Sequence, residues 1–208
     1  MNLADTFDNA STDSDVDSVI VPLDDDDREH ITNLASARHA SYDQGKTTDE
    51  VWGDDDSAGK MELGVAGELV VAGLYDRAEY DVSVSARGDG GVDCEMDLGG
   101  ETRTVDVKSS TYDRSGASLM VSKHHVEDRD ITPDAYLSCY VADDLSEVIV
   151  RGWMTSDEFL VEENEETAPA GDWINFDMRV NELKPIPEPD GDLLDEDEDY
   201  SVIRKMAV

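Results

Sequence analysis

Basic residues are scarce in this sequence. Its 208 residues include 16 lysines and arginines against 52 aspartates and glutamates, so the formal net charge is −36 at pH 7. Such a chain lacks the basic patch that nucleic-acid-binding proteins use in ordinary salt. In molar salt, however, charges are screened within about 3 Å and an acidic surface stays hydrated. We therefore interpret the composition as a halophilic adaptation, with an acidic interaction protein or DNA mimic as the alternative. DNA is not excluded as a partner.

Cysteines, aromatic residues and long hydrophobic runs are also few. Cys94 and Cys139 lie in apolar, strand-like runs, which favours core residues over a disulfide or a metal site. Aromatic residues make up 6% and hydrophobic residues 38% of the chain, enough for a modest core in one domain. No apolar run approaches the length of a membrane span and no signal peptide is recognisable. We expect a cytoplasmic protein with no membrane partner.

Acid-rich segments at both ends enclose a region of helix and strand patterns. Residues 1–27 predict a disordered acidic arm, residues 28–187 the domain, and residues 188–208 an acidic C-terminal tail. Helices are predicted over about 28–42 and 60–76, and strands at 80–84, 92–98, 102–109, 119–122, 135–141 and 148–153. This order predicts an α/β (α+β) fold, with a central mixed β-sheet flanked by helices.

A Gly-Gly pair predicts a hairpin that brings two aspartates face to face. Gly99-Gly100 can supply the positive φ angles of a two-residue turn, and the resulting register sets Asp93 directly opposite Asp106. Opposite residues have Cβ atoms about 4.5–5.5 Å apart, and like charges there are destabilising. The pairing therefore predicts a cation between them, most simply a divalent metal ion. Lys108 shares the face of Asp106 because strand side chains alternate.

A carboxylate also interrupts the second predicted helix. Residues 65–72 are apolar nearly all round, which is typical of a buried helix, except for Glu68. Burying an unpaired carboxylate is costly, so Glu68 needs a metal ion, a base or a water as partner unless it faces the surface. Arg38 lies on the apolar stripe of the first helix. We interpret it as a snorkelling or ion-paired arginine rather than a phosphate contact.

Together, the two hairpin aspartates, the helix glutamate and the nearby lysine fit metal-assisted hydrolysis of a phosphodiester. Asp93 and Asp106 would hold Mg²⁺ or Mn²⁺ through hard oxygen ligands, with the Val107 carbonyl as a further ligand. Glu68 would bind the ion directly or through a water. The ion would polarise the phosphate and acidify a bound water. Lys108 would orient or help deprotonate that water and offset charge that develops on the phosphate.

The same residues resemble the PD-(D/E)xK nuclease superfamily. Gly67-Glu68 corresponds to the helix glutamate, Val92-Asp93 to the "PD" position with valine in place of proline, and Asp106-Val107-Lys108 to the (D/E)xK element. The resemblance covers residues 60–110 in detail and reaches about 160 more loosely, although the helix expected within 110–130 is poorly marked. It implies a restriction-endonuclease-like core and a Mg²⁺-dependent DNA endonuclease.

The Asp-x-Lys spacing alone carries little weight in so acidic a chain. A second match, Glu182-x-Lys184, precedes Pro185 and has no hairpin partner, so we interpret it as structural. The hypothesis rests instead on the hairpin pairing and on the glutamate in the apolar helix.

Several further residues are weaker candidates. Ser109, Ser110 and Lys123 would bind the DNA substrate, or they are ordinary polar groups near strand ends. Asp89 is an alternative metal ligand to the aspartate before the hairpin, and Glu95 is a candidate for a second metal site. The sequence does not decide between a monomer and a homodimer, which a junction or a palindrome with two strands to be cut would require.

Overall fold

The structure of the chain is a computed structural model, which describes residues 18–45, 57–75, 92–112, 117–129, 131–167 and 173–188. Within these ranges there are four α-helices: α1 (Asp25–Gly45), α2 (Ser57–Leu74), α3 (Lys123–Glu127) and α4 (Ser156–Phe159). The same ranges contain eight strands: β1 (Val19–Pro22), β2 (Cys94–Leu98), β3 (Glu101–Ser110), β4 (Ser118–Ser122), β5 (Ala135–Val141), β6 (Glu147–Thr155), β7 (Glu165–Thr167) and β8 (Ile174–Arg179).

The main sheet is mixed, as predicted. Its strand order is β1-β6-β5-β3-β2, with β3 and β5 parallel and the other neighbours antiparallel. A smaller antiparallel sheet has the order β4-β8-β7. Because parallel neighbours need a crossover connection, the chain leaves the main sheet after β3 and forms β4 and α3 before it returns as β5. The α+β class is confirmed.

The predicted hairpin forms with the predicted register. Gly99 and Gly100 have φ angles of 64° and 86°, and the pairing runs from Leu98 opposite Glu101 to Cys94 opposite Val105. Along β2, buried and exposed residues alternate as they should for a strand with one face on the core. The turn therefore sets the position of the aspartates, since register decides which face each side chain takes.

Two hydrophobic clusters cover opposite faces of the main sheet. The larger contains Val105 and Val107 of β3 together with the apolar residues of α2. The smaller contains Tyr136 of β5, with Leu119 and Phe176 of the second sheet. The two faces of β3 therefore point at different layers of the protein, which decides what each candidate side chain can reach.

A glycine allows α2 to pack closely against β3. A Cβ atom at Gly67 would lie 2.1 Å from the Ser109 Oγ atom and 3.4 Å from Val107 Cγ1, whereas a Cβ at Gly64 would have no contact closer than 3.7 Å. The helix is buried along this side, so its distance from the sheet depends on the absence of a side chain at position 67.

Replacing Gly67 with alanine is expected to destabilise the fold by about 1–3 kcal/mol, because the added methyl group overpacks the helix–strand contact. Gly64→Ala is the matched control in the same helix, and there the better helix propensity of alanine should stabilise by up to about 1 kcal/mol. Chemical unfolding in molar KCl measures both. Equal effects of the two substitutions would contradict the packing account.

The predicted disordered arm is wrong over its last residues. Val19–Pro22 pairs with β6 as an edge strand, and α1 begins at Asp25. Asp24 and Asp27 cap this helix reciprocally, since each carboxylate accepts the other's backbone N–H at 2.9–3.0 Å. The 80–84 strand and the tail from 189 onward lie outside the described residues. None of the described helices is long and apolar enough to cross a membrane.

Candidate active site

Asp106 is held by two bases near the middle of β3. The residue is 2% exposed. Lys108 Nζ lies 2.6 Å from its Oδ1 atom, and Arg129 Nη1 lies 2.5 Å from its Oδ2 atom. The Lys108 side chain is 28% exposed, so the ammonium group connects the buried carboxylate to solvent. Asp106 and Lys108 share a face, as strand alternation predicted.

Asp93 lies at the point where the hairpin leaves regular pairing. Its backbone N–H donates to the Val105 carbonyl at 2.8 Å, and its Oδ2 atom accepts the Val107 N–H at 2.6 Å. The carboxylate thus takes the place of a strand partner beyond the end of β2. Because the N–H and C=O of a strand residue point to the same side, the Val107 carbonyl faces this edge as well.

Glu68 has a basic partner on the neighbouring helix. Arg38 Nη1 lies 2.6 Å from the Glu68 Oε2 atom, and both side chains are 14% exposed. The pair joins α1 to α2, so the ion-paired interpretation of Arg38 is confirmed. The structure supplies the base that a carboxylate in an apolar helix requires.

The candidate carboxylates share one neighbour, the Cys94 thiol. Burial raises the pKa of Cys94 most, and the negative charges of Asp93, Glu68, Asp106 and Glu95 raise it further, to about 12. Because charges act over a distance, this shared effect does not by itself bring the four carboxylates to one point. The convergence of Glu68, Asp93 and Asp106 on one metal ion stays a prediction of the sequence.

Glu68 and Asp106 lie on opposite faces of β3. The helix that carries Glu68 packs through Gly67 against Val107 and Ser109. Asp106 points to the other face because neighbouring strand residues alternate. In the part of the chain that the structure describes, no three His, Cys, Asp or Glu side chains are arranged to hold a metal ion.

The donors fit a hard divalent cation in chemistry, since carboxylate and carbonyl oxygens are the ligands that Mg²⁺ and Mn²⁺ prefer. Their contacts, however, are with protein groups: Asp106 with Lys108 and Arg129, Glu68 with Arg38. A metal ion would enter this site in exchange for at least one of those bases.

Sequence reasoning missed Arg129. Its Nη2 atom lies 2.7 Å from His125 Nε2, so one guanidinium bridges α3 and Asp106. Burial lowers the pKa of Arg129, but the charge of Asp106 and the hydrogen bond to it outweigh burial and the pKa is raised. The available signal was the cluster of Lys123, two histidines and Arg129 within seven positions of an otherwise acidic chain.

Tyr136 also lies beside the site, because it pairs with Asp106 in the parallel register. Burial and the charge of Asp106 raise the pKa of its hydroxyl to about 12, while Arg129 lowers it. The hydroxyl is buried and makes no hydrogen bond of ordinary geometry with any described residue. Tyr136 therefore stays protonated and forms one wall around Asp106.

The predicted substrate-binding residues are not gathered at one place. The Ser109 hydroxyl is buried under α2, and Ser110 accepts the Tyr112 N–H at 3.0 Å. Lys123 pairs with Glu165 at 2.6 Å, which raises its pKa.

Two remaining candidates contribute nothing further to this site, and a third is not described. Lys184 of the second Glu-x-Lys match pairs with Glu158 on the surface, as expected of a structural role. The side chain of Glu95 is exposed on β2, and Asp89 lies outside the described residues.

No protein-family model, curated protein or solved structure matches this chain.

Proposed function

We propose that the chain is a metal-dependent DNA endonuclease of PD-(D/E)xK type, adapted to the molar salt of a halophile or one of its viruses. The observation that carries the proposal is Asp106 on β3, buried and bound to Lys108, with Asp93 at the adjacent sheet edge. Glu68 is near enough for its charge to act on the same thiol as both aspartates.

The concentration of bases supports the proposal. The chain has 16 lysines and arginines for 52 acids, yet Arg38, Lys108 and Arg129 all contact candidate carboxylates. In a chain selected for surface acids, bases held in partly buried positions reflect a local need for positive charge. A phosphodiester substrate creates that need, because its hydrolysis builds negative charge on the phosphate.

In the proposed mechanism, Asp93, Asp106 and the Val107 carbonyl would hold Mg²⁺ or Mn²⁺, and Glu68, which comes from the other face of β3, would bind the ion through a water. An ion held there would supply Lewis-acid polarisation of the phosphate and would acidify a water. Lys108 reaches solvent from beside Asp106, so its ammonium group can donate to the attacking water or to a phosphate oxygen. Tyr136 and the smaller hydrophobic cluster exclude water from the inner side of Asp106.

One observation favours a second candidate, a non-catalytic acidic interaction or DNA-mimic protein on the same fold. Glu68 and Asp106 are already paired with bases, and no described set of three side chains is arranged as a metal site. A charge surface needs no metal ion, so such a protein would keep these pairs unchanged.

DNA cleavage in molar KCl discriminates between the two functions. The full chain is incubated with supercoiled, linear, single-stranded and branched DNA, with Mg²⁺, with Mn²⁺, and with a chelator. We expect metal-dependent cleavage of at least one form, and a chelator should abolish it. Folded protein that cuts none of the four forms and binds neither ion would remove the nuclease proposal and favour the non-catalytic one.

A further inference from the structure

Arg129 connects the candidate metal ligand Asp106 to a short helix. Its guanidinium contacts Asp106 Oδ2 through one nitrogen and His125 Nε2 through another, and its side chain is 15% exposed. The residue follows α3 after Asp128 and belongs to no helix or strand. One side chain therefore ties the central strand β3 to the crossover segment that passes over it.

The charges around Asp106 balance in this arrangement. Asp93 and Asp106 contribute two negative charges, and Lys108 and Arg129 contribute two positive ones. A divalent cation that enters a neutral cluster meets two nearby positive charges without a net attraction. If Arg129 leaves, the remaining three groups carry a net negative charge, and the ion is attracted.

Arg129 is easier to move than Lys108. Lys108 lies on β3, which pairs with β5 at that position. The five-residue helix α3 before Arg129 contains no buried residue and has no side-chain cap at its N-terminus. Segments with few buried groups shift at low free-energy cost. A competing cation would thus release the arginine and keep the lysine.

From these contacts we propose that Arg129 is a positioning residue that holds Asp106 until a divalent cation displaces it, so that it sets the affinity of the site for metal. The inference rests on the proposed function, because it takes Asp106 as a metal ligand. It assigns a role to a residue outside the PD-(D/E)xK pattern and predicts an effect opposite to that of a metal ligand. Removing Arg129 should tighten metal binding.

The test measures Mn²⁺ binding to the metal-free full chain in molar KCl by isothermal titration calorimetry. Arg129→Gln should bind Mn²⁺ at least about tenfold more tightly than the unmodified protein, since it loses one competing charge. Arg129→Lys keeps the positive charge, so its Mn²⁺ affinity should stay within about threefold of that of the unmodified protein. Arg103→Gln is the matched control. Arg103 lies on β3, as Asp106 does, and contacts the Leu98 carbonyl and Glu101. This substitution should leave the Mn²⁺ affinity unchanged.

Unchanged or weaker binding in Arg129→Gln, or equal tightening in Arg103→Gln, overturns the inference. If circular dichroism shows that Arg129→Gln does not fold, His125→Ala decides instead. It removes the contact that holds Arg129 to α3, so Mn²⁺ binding should tighten, and unchanged binding overturns the inference. Cleavage assays separate this outcome from the proposed function. Cleavage without tightening refutes the role of Arg129 alone, and tightening without cleavage refutes the nuclease and keeps the metal site.

Discussion

Replacing Lys108 with alanine is expected to lower the rate of DNA cleavage by at least about 100-fold while the fold survives. A positioned proton donor or acceptor contributes roughly 10²- to 10⁴-fold to a rate. The fold survives because Arg129 still neutralises Asp106 after the ammonium group is lost. Single-turnover cleavage with Mg²⁺ in molar KCl measures the rate, and the unfolding midpoint of the same samples measures stability.

Lys184→Ala is the control for this substitution. Lys184 has the same Glu-x-Lys spacing, but it pairs with Glu158 and lies 5.0 Å from the Trp153 ring, away from the candidate acids. The Lys184→Ala variant should cleave DNA at the same rate as the unmodified protein. Asp106→Asn should also abolish cleavage, at a higher cost in stability, because two bases lose their shared carboxylate. Full activity in Lys108→Ala would show that the wrong lysine was assigned.

The hairpin shows how much of the site sequence can predict. Two glycines limit the turn to a few conformations, and the two-residue loop then fixes the register, so the neighbourhood of Asp93 and Asp106 follows from local rules. What local rules could not predict is the use of Asp93. Its carboxylate accepts the Val107 N–H because β2 begins only one residue later, at Cys94. That detail depends on where two strands part.

Contacts between distant segments were the part that sequence could not supply. Glu68 and Arg38 were each recognisable as charged residues in apolar surroundings, but their pairing depends on how α1 packs against α2. Arg129 reaches Asp106 because the crossover from β3 to β5 folds back over the strand. Val19–Pro22 gains its partner only from β6, more than a hundred residues later. In each case a long-range contact overrides a weak or acidic local pattern.

The net charge of −36 leads us to expect a strong dependence of stability on salt. Two like charges 10 Å apart repel by about 0.4 kcal/mol in unscreened water. An excess of 36 negative charges on 208 residues contains many such pairs. Their sum rivals the roughly 5–15 kcal/mol that stabilises a typical domain. The ion pairs of the candidate site are partly buried and less sensitive to screening, so salt acts chiefly through the acidic surface.

Lowering KCl from about 2 M to about 0.1 M is therefore expected to unfold most of the protein at 25 °C, because the screening length grows from below 3 Å to about 10 Å. Circular dichroism across a KCl series measures the folded fraction. Restoring KCl should refold the chain, whereas sucrose at matched osmolality should restore much less, since it does not screen charge. A folded fraction that stays constant from 2 M to 0.1 M would contradict the halophilic interpretation. The acidic surface would then have to be explained by a partner instead, as in an acidic interaction protein.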